Sequence, residues 1–98
     1  MSRPTHDHFS LRRSIMEYLY EHFRQVPYAA IELRQLAEDC HCEADQLNWN
    51  LVYLEKKGYL ELSKSMDCPP FVACSVSLSA EGIDLIEDPE RLEKAFPT

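Results

Sequence analysis

The sequence predicts a mainly α domain that carries a small β-hairpin, an α+β class. Three observations predict it. Apolar residues recur at helical spacing in successive stretches between Ser10 and Lys57. The period then switches to alternation, first from Tyr59 to Ser63 and again from Val72 to Leu78. Helix-start signals return at Ser79 and at Asp88-Pro89-Glu90. A chain of 98 residues with 45% hydrophobic content supports one core, so residues 1–98 read as a single domain.

Residues 1–8 are polar and carry Pro4, His6 and His8, so residues 1–9 read as a flexible N-terminal arm. Ser10 is the expected N-cap of a helix running to about Gln25. Leu11, Ile15, Tyr18, Leu19, His22 and Phe23 form its inward stripe, Met16 and Tyr20 a weaker second one, and Arg13 and Glu17 an i,i+4 pair. Pro27 stops the segment. Ala29 to Ile31 is a short extended lead-in to a second helix over Glu32–Cys40, with Leu33, Leu36 and Ala37 inward. After a tight connection at His41, Cys42 and Glu43, a third helix spans about Ala44 to Lys57. Leu47, Leu51 and Leu54 mark its buried face, and Gly58 is the expected left-handed stop.

The hairpin follows. Leu60 and Leu62 alternate with Tyr59, Glu61 and Ser63, which suits a half-buried strand. Lys64 to Pro70 is turn-rich, and a second strand should place Val72, Cys74, Val76 and Leu78 inward against Ala73, Ser75 and Ser77. Ser79 caps a helix over Ala80–Glu87 with Ile83 and Ile86 inward. Residues 89–98 form a last short helix, with an apolar side made by Leu92, Ala95 and Phe96.

Charge narrows the function classes. Seventeen acidic against ten basic side chains leave a net charge of −7. A nucleic-acid-binding domain normally carries a basic face, because phosphate contacts supply most non-specific affinity. No Lys or Arg lies between Arg34 and Lys56, while Glu38, Asp39, Glu43, Asp45 and Glu55 do. The longest apolar runs are only a few residues, so no membrane span is expected. The opening Met-Ser-Arg-Pro-Thr-His-Asp-His lacks the apolar stretch of a signal peptide, which makes the cytoplasm the expected location. Two glycines exclude a glycine-rich phosphate loop, and no oriented nucleophile–base set stands out, so an enzyme is not expected.

Two motifs resemble the winged helix-turn-helix family. The first is Leu33-Arg34-Gln35-Leu36-Ala37-Glu38-Asp39-Cys40-His41-Cys42, followed by a third helix that closes on Leu54-Glu55-Lys56-Lys57-Gly58-Tyr59-Leu60. The second is Val76-Ser77-Leu78-Ser79-Ala80-Glu81-Gly82-Ile83, a strand leading into a capped helix. The resemblance covers roughly residues 10–88. It implies a three-helix core, a two-stranded wing and an extra C-terminal helix. It also implies a DNA-binding transcriptional regulator that places its third helix in the major groove, beside the Lys64–Pro70 wing. The chain departs from the family at His41, where glycine is usual, at Glu43, where serine, threonine or aspartate caps the third helix, and in the missing cations of that helix.

Carried over by position, the outward residues of the third helix are Ala44, Asp45, Gln46, Asn48, Trp49, Val52 and Tyr53. Gln46 and Asn48 are residue types that read adenine, whereas Asp45 repels phosphate. The candidate surface for double-stranded DNA or for a protein partner is therefore Arg34, Gln46, Asn48, Trp49, Tyr53, Lys56, Lys57 and Lys64, with Arg3, Arg12 and Arg13 as further phosphate contacts. Clustering of these cations would favour DNA. A scattered set would favour an acidic protein-interaction module without DNA binding, the alternative function. Trp49 lies off the inward line of Leu47, Leu51 and Leu54, and is either an interface anchor or a cover over the wing.

Cys40, Cys42, Cys68 and Cys74 are expected as thiols, since a cytoplasmic chain seldom builds a disulfide framework. With His41 they offer enough ligands for zinc, but the spacing lacks the usual two-to-four-residue gap, so no metal and no cofactor are expected. By alternation Cys74 faces inward, leaving Cys68 as the exposed thiol. Met16, Tyr20, Leu92 and Phe96 form surplus apolar surface on the first and last helices, which predicts a homodimer interface.

Overall fold

The structure, a computed structural model, describes residues 8–64 and 67–97. Its elements run α1 (His8–Gln25), β1 (Ile31–Glu32), α2 (Leu33–Cys40), α3 (Ala44–Lys56), β2 (Leu60–Ser63), β3 (Ser75–Leu78), α4 (Ala80–Ile86) and α5 (Pro89–Ala95). The three strands form one antiparallel sheet in the order β1-β3-β2. Leu60 pairs with Leu78 and Leu62 with Val76, and Ile31 pairs with Val76 from the other side. No helix among the described residues is long and apolar enough to cross a membrane.

One core joins these elements. Leu11, Ile15, Met16 and Leu19 of α1 meet Leu33, Leu36 and Ala37 of α2 and Leu47, Leu51 and Leu54 of α3. Leu60, Val76, Leu85, Leu92 and Phe96 close it from the sheet and the last two helices. Each buried leucine contributes roughly 1.5–3 kcal/mol relative to its exposed state. The inward stripes expected for α2 and α3 are the observed ones.

Local chemistry sets the helix ends. α2 stops at His41, whose φ of 55° and ψ of 47° are left-handed, and the Cys42 amide donates to the Ala37 carbonyl at 3.1 Å. After α3, Gly58 takes φ 83°. Asp88 caps α5 by accepting from the Glu90 and Arg91 amides at 3.2 and 3.3 Å, with Pro89 at the first turn as the sequence indicates. Ser79 caps α4 by accepting from the Gly82 amide at 3.1 Å, and its hydroxyl donates to the Gly58 carbonyl. Gly82 is buried against the chain after α3: a Cβ there would lie 1.9 Å from the Tyr59 carbonyl oxygen. Only glycine lets α4 approach this closely.

Several expectations are corrected. α1 already includes His8, so Ser10 lies inside the helix rather than at its cap, and His8 and Phe9 belong to α1 and not to an arm. Residues 1–7 of that arm, with Arg3 and His6, lie outside the described residues, as do Ser65 and Met66 of the expected wing. The hairpin gains a third strand from β1, because Ile31 and Glu32 find backbone partners on β3. The second hairpin strand is shorter than expected. Ala73, not Cys74, is buried: the regular alternation begins only at Ser75, and before it Cys74 is held by a disulfide and by backbone bonds to Ser63 and Leu33. On α4 the buried position is Leu85, with Ile83 and Ile86 half-buried, because the close contact at Gly82 rotates that face inward.

Candidate functional site

The outer face of α3 and the loop beside it form the candidate site. Asp45, Trp49 and Tyr53 are four residues apart and therefore stack on one side of the helix, opposite Leu47, Leu51 and Leu54. Asp45 and Lys56 are exposed, and Trp49 is 67% exposed, the largest apolar side chain offered to solvent by α3. The Arg12 guanidinium lies 3.8 Å from the centre of the Tyr53 ring and covers one of its faces.

The two polar residues expected to read bases have partners within the chain. The Asn48 amide nitrogen donates to the Pro70 carbonyl at 3.0 Å, and its oxygen accepts from the Val72 amide at 2.9 Å. One side chain thus mimics a strand neighbour and holds the loop against α3. The Gln46 side-chain oxygen accepts from the Glu43 backbone amide at 3.3 Å, so Glu43 and Gln46 start the helix where a serine or threonine would.

Cys68 and Cys74 are joined in a disulfide, with Cα atoms 5.2 Å apart. This corrects the expectation of four free thiols and of an exposed Cys68. The loop folds back between Cys68 and Phe71, which pair as an isolated bridge, and this brings the two sulfurs together across a separation of 6 residues. Cys40 and Cys42 remain free and half-buried. Burial, reinforced by neighbouring Cys42 and Asp39, pushes the Cys40 thiol up to about 11, and burial also raises Cys42. Both therefore stay protonated and weakly nucleophilic near neutrality. Among the described residues no group of three or more His, Cys, Asp or Glu side chains gathers in a way that could hold a metal ion.

The basic residues of the candidate surface scatter. Arg34 lines a hollow of about 440 Å³ with Phe71 and the disulfide. Lys64 borders a second hollow on the loop's other side and pairs with Glu55 at 2.9 Å. Lys57 faces a third, beside α5. Arg13 is held by Glu17 at 3.2 Å, the expected i,i+4 pair, and by Glu93 at 3.0 Å, which together raise its pKa. Its guanidinium also donates to the Phe96 carbonyl at 3.1 Å.

Sequence reasoning missed Asn50. It is fully buried, accepts from the Arg12 side chain at 2.8 Å and donates to the Gln46 carbonyl at 2.7 Å. Arg12, Asn50 and Tyr53 thereby knot α1 to α3. The signal was present: Asn50 falls three residues after Leu47 and four before Leu54, a polar side chain on the buried stripe.

The residues expected at a dimer interface are placed differently. Met16, Leu92 and Phe96 are all in the core, with Phe96 edge-on to Tyr59 at 6.4 Å between ring centres. Their apolar surface is covered within the chain because α5 folds back onto α4 and Tyr59. Tyr20 is half-buried and donates to Glu87 at 2.7 Å.

No protein-family model, curated protein or solved structure matches this chain.

Proposed function

We propose that the chain is a non-enzymatic protein-interaction module built on a winged-helix-like plan, and that it docks a protein partner through the outer face of α3. The observation that carries this reading is the contrast along that face. Trp49 stands exposed behind Asp45, while Asn48 and Gln46 are engaged inside the chain. An exposed tryptophan is a strong interface anchor, because a ring of this size contributes heavily once a partner covers it. Glu38, Asp39, Glu43 and Asp45 are all exposed near the start of α3, and their charge suits a basic partner.

DNA binding is the second reading. It is favoured by the order of the first three helices and by exposed Lys56 and Lys57 at the end of α3. Base readout needs phosphate contacts beside it, and the N-terminal half of α3 offers carboxylates instead. Fluorescence anisotropy with a labelled mixed-sequence duplex, at low and at physiological salt, separates the two. The protein-docking reading expects no binding at either. Binding that weakens steeply with salt would replace it by the DNA reading. Recovery of a protein partner by the wild type but not by Trp49→Ala completes the test.

A further inference from the structure

A third hollow, of about 420 Å³, lies between the end of α3, Tyr59 and α5. It is unlike the rest of this acidic chain. Three of the ten basic side chains, Lys57, Arg91 and Lys94, line it, and no carboxylate does. Lys57 and Lys94 are exposed and pair with no acid among the described residues. Arg91 is held at the rim by Glu81 at 2.9 Å, which offsets much of its charge, so Lys57 and Lys94 are the cations offered to an occupant. Tyr53, Tyr59 and Phe96 line the same hollow. Tyr59 is half-buried and braced edge-on by Phe96, and Tyr53 is backed by Arg12 on one face. The volume falls within the roughly 300–1,000 Å³ usual for small-molecule sites, although the hollow is open to solvent and its walls are as polar as they are apolar.

We infer that this hollow binds a small phosphate ester carrying a planar ring, a nucleoside monophosphate in class. The phosphate takes donors from Lys57 and Lys94, and the ring lies against Tyr59. Tyr53 borders both this hollow and the outer stripe of α3, so an occupant here adjoins the docking face. The site does not depend on what α3 docks.

Titration with adenosine 5′-monophosphate, followed by amide NMR shifts, tests the assignment. Inorganic phosphate and adenosine serve as single-feature probes. The expected result is saturable binding with Kd at or below about 1 mM. Shifts should centre on Lys57, Tyr59, Arg91 and Lys94. Phosphate and adenosine should each bind more weakly. A Lys57→Ala/Lys94→Ala double variant with an unchanged fold, judged from its spectrum, should lose roughly tenfold or more in affinity, as expected when charge-assisted contacts go. Absence of saturable shifts with adenosine 5′-monophosphate overturns the assignment, as does unaltered affinity in the double variant. Phosphate binding as tightly as the nucleotide removes the ring from it. If a mixed-sequence duplex displaces the nucleotide and the shifts spread along α3, the phosphates belong to a nucleic-acid backbone, and the small-molecule assignment fails.

Discussion

The two faces of α3 use the same kinds of residue for opposite ends. On the inner face Leu47, Leu51 and Leu54 are fully buried, and so is the polar Asn50, because Arg12 and the Gln46 carbonyl satisfy its amide. On the outer face Asp45, Trp49 and Lys56 remain exposed. Between the two faces Asn48 is engaged with the loop, at Pro70 and Val72. A polar side chain on this helix is thus architectural where the fold supplies its partner, and what remains exposed is a single narrow stripe. The largest test of this division is Asn50→Ala. It opens a void beside Leu47 and Leu54 and strips the acceptor from Arg12. It should cost about 2–4 kcal/mol in urea unfolding, more than an ordinary surface change of ±0.5 kcal/mol. A loss near zero would mean that the Arg12–Asn50 contact does not hold α1 to α3.

The loop on the flank comes next. The disulfide closes a short loop between Cys68 and Cys74, and that loop presents the two backbone groups that Asn48 grips. The chain-entropy account gives about 2 kcal/mol for a loop this short. Reduction, or a Cys68→Ser/Cys74→Ser variant, should lower stability by that amount and leave the α-helical circular dichroism in place. Asn48→Ala on the oxidised protein should cost less, about 1 kcal/mol for two lost backbone contacts at a partly exposed site. If reduction has no effect on unfolding, the loop is not a structural part of the α3 flank.

These particulars show what was legible beforehand. The inward stripes of α2 and α3, the stop at Gly58 and the cap at Asp88 follow from periodicity and local hydrogen bonding, which one segment largely determines by itself. Met16 and Phe96 were misplaced because their burial depends on which distant segments fold over them. The break of alternation at Ala73 and the disulfide arise from loop geometry that composition does not encode. Of the candidate site, helical phase placed Trp49 off the inward line but left open whether it was exposed or folded over the wing, and it is 67% exposed. The engagement of Asn48 does not follow from helical phase, because its partners lie 22 and 24 residues away.

Smaller effects come from the turn and helix that lead into α3. His41 holds a left-handed conformation that costs a side chain about 1 kcal/mol and glycine much less. His41→Gly should therefore stabilise the fold, by about 0.5–1 kcal/mol once the greater freedom of glycine in the unfolded chain is set against it. Destabilisation on denaturant titration would show that the imidazole makes a contact worth more than the strain. Near it, the Tyr18 hydroxyl donates to the Asp39 carboxylate, which Gln35 also contacts. The bond to Asp39 pushes Tyr18 up to about 12, and the same bond, with Gln35, holds Asp39 below its ordinary value. The Tyr18 contribution is whole below about 10, the unfolded value, and is lost as pH rises through about 12. The Asp39 contribution is present above 3.8 and is lost as pH falls through the depressed value. Tyr18→Phe should flatten the stability–pH profile at both ends, and an unchanged profile would remove the pair from the account of α1–α2 packing.

The smallest expected change in stability belongs to the residue with the greatest expected change in function. Trp49 is 67% exposed and its indole makes no hydrogen bond among the described residues, so Trp49→Ala removes little buried area. Unfolding free energy should stay within about 0.5 kcal/mol of wild type. Partner affinity, measured by titration, should fall by roughly 2 kcal/mol or more, the scale of an interface anchor. Asn50→Ala is the mirror image, with large loss of stability and, at temperatures where the variant remains folded, retained affinity for the partner. The pair of variants therefore tests the division of α3 from both sides. A Trp49→Ala protein as unstable as Asn50→Ala would make the tryptophan a cover over the domain's edge, and the outer stripe would then be part of the fold rather than a surface left for a partner.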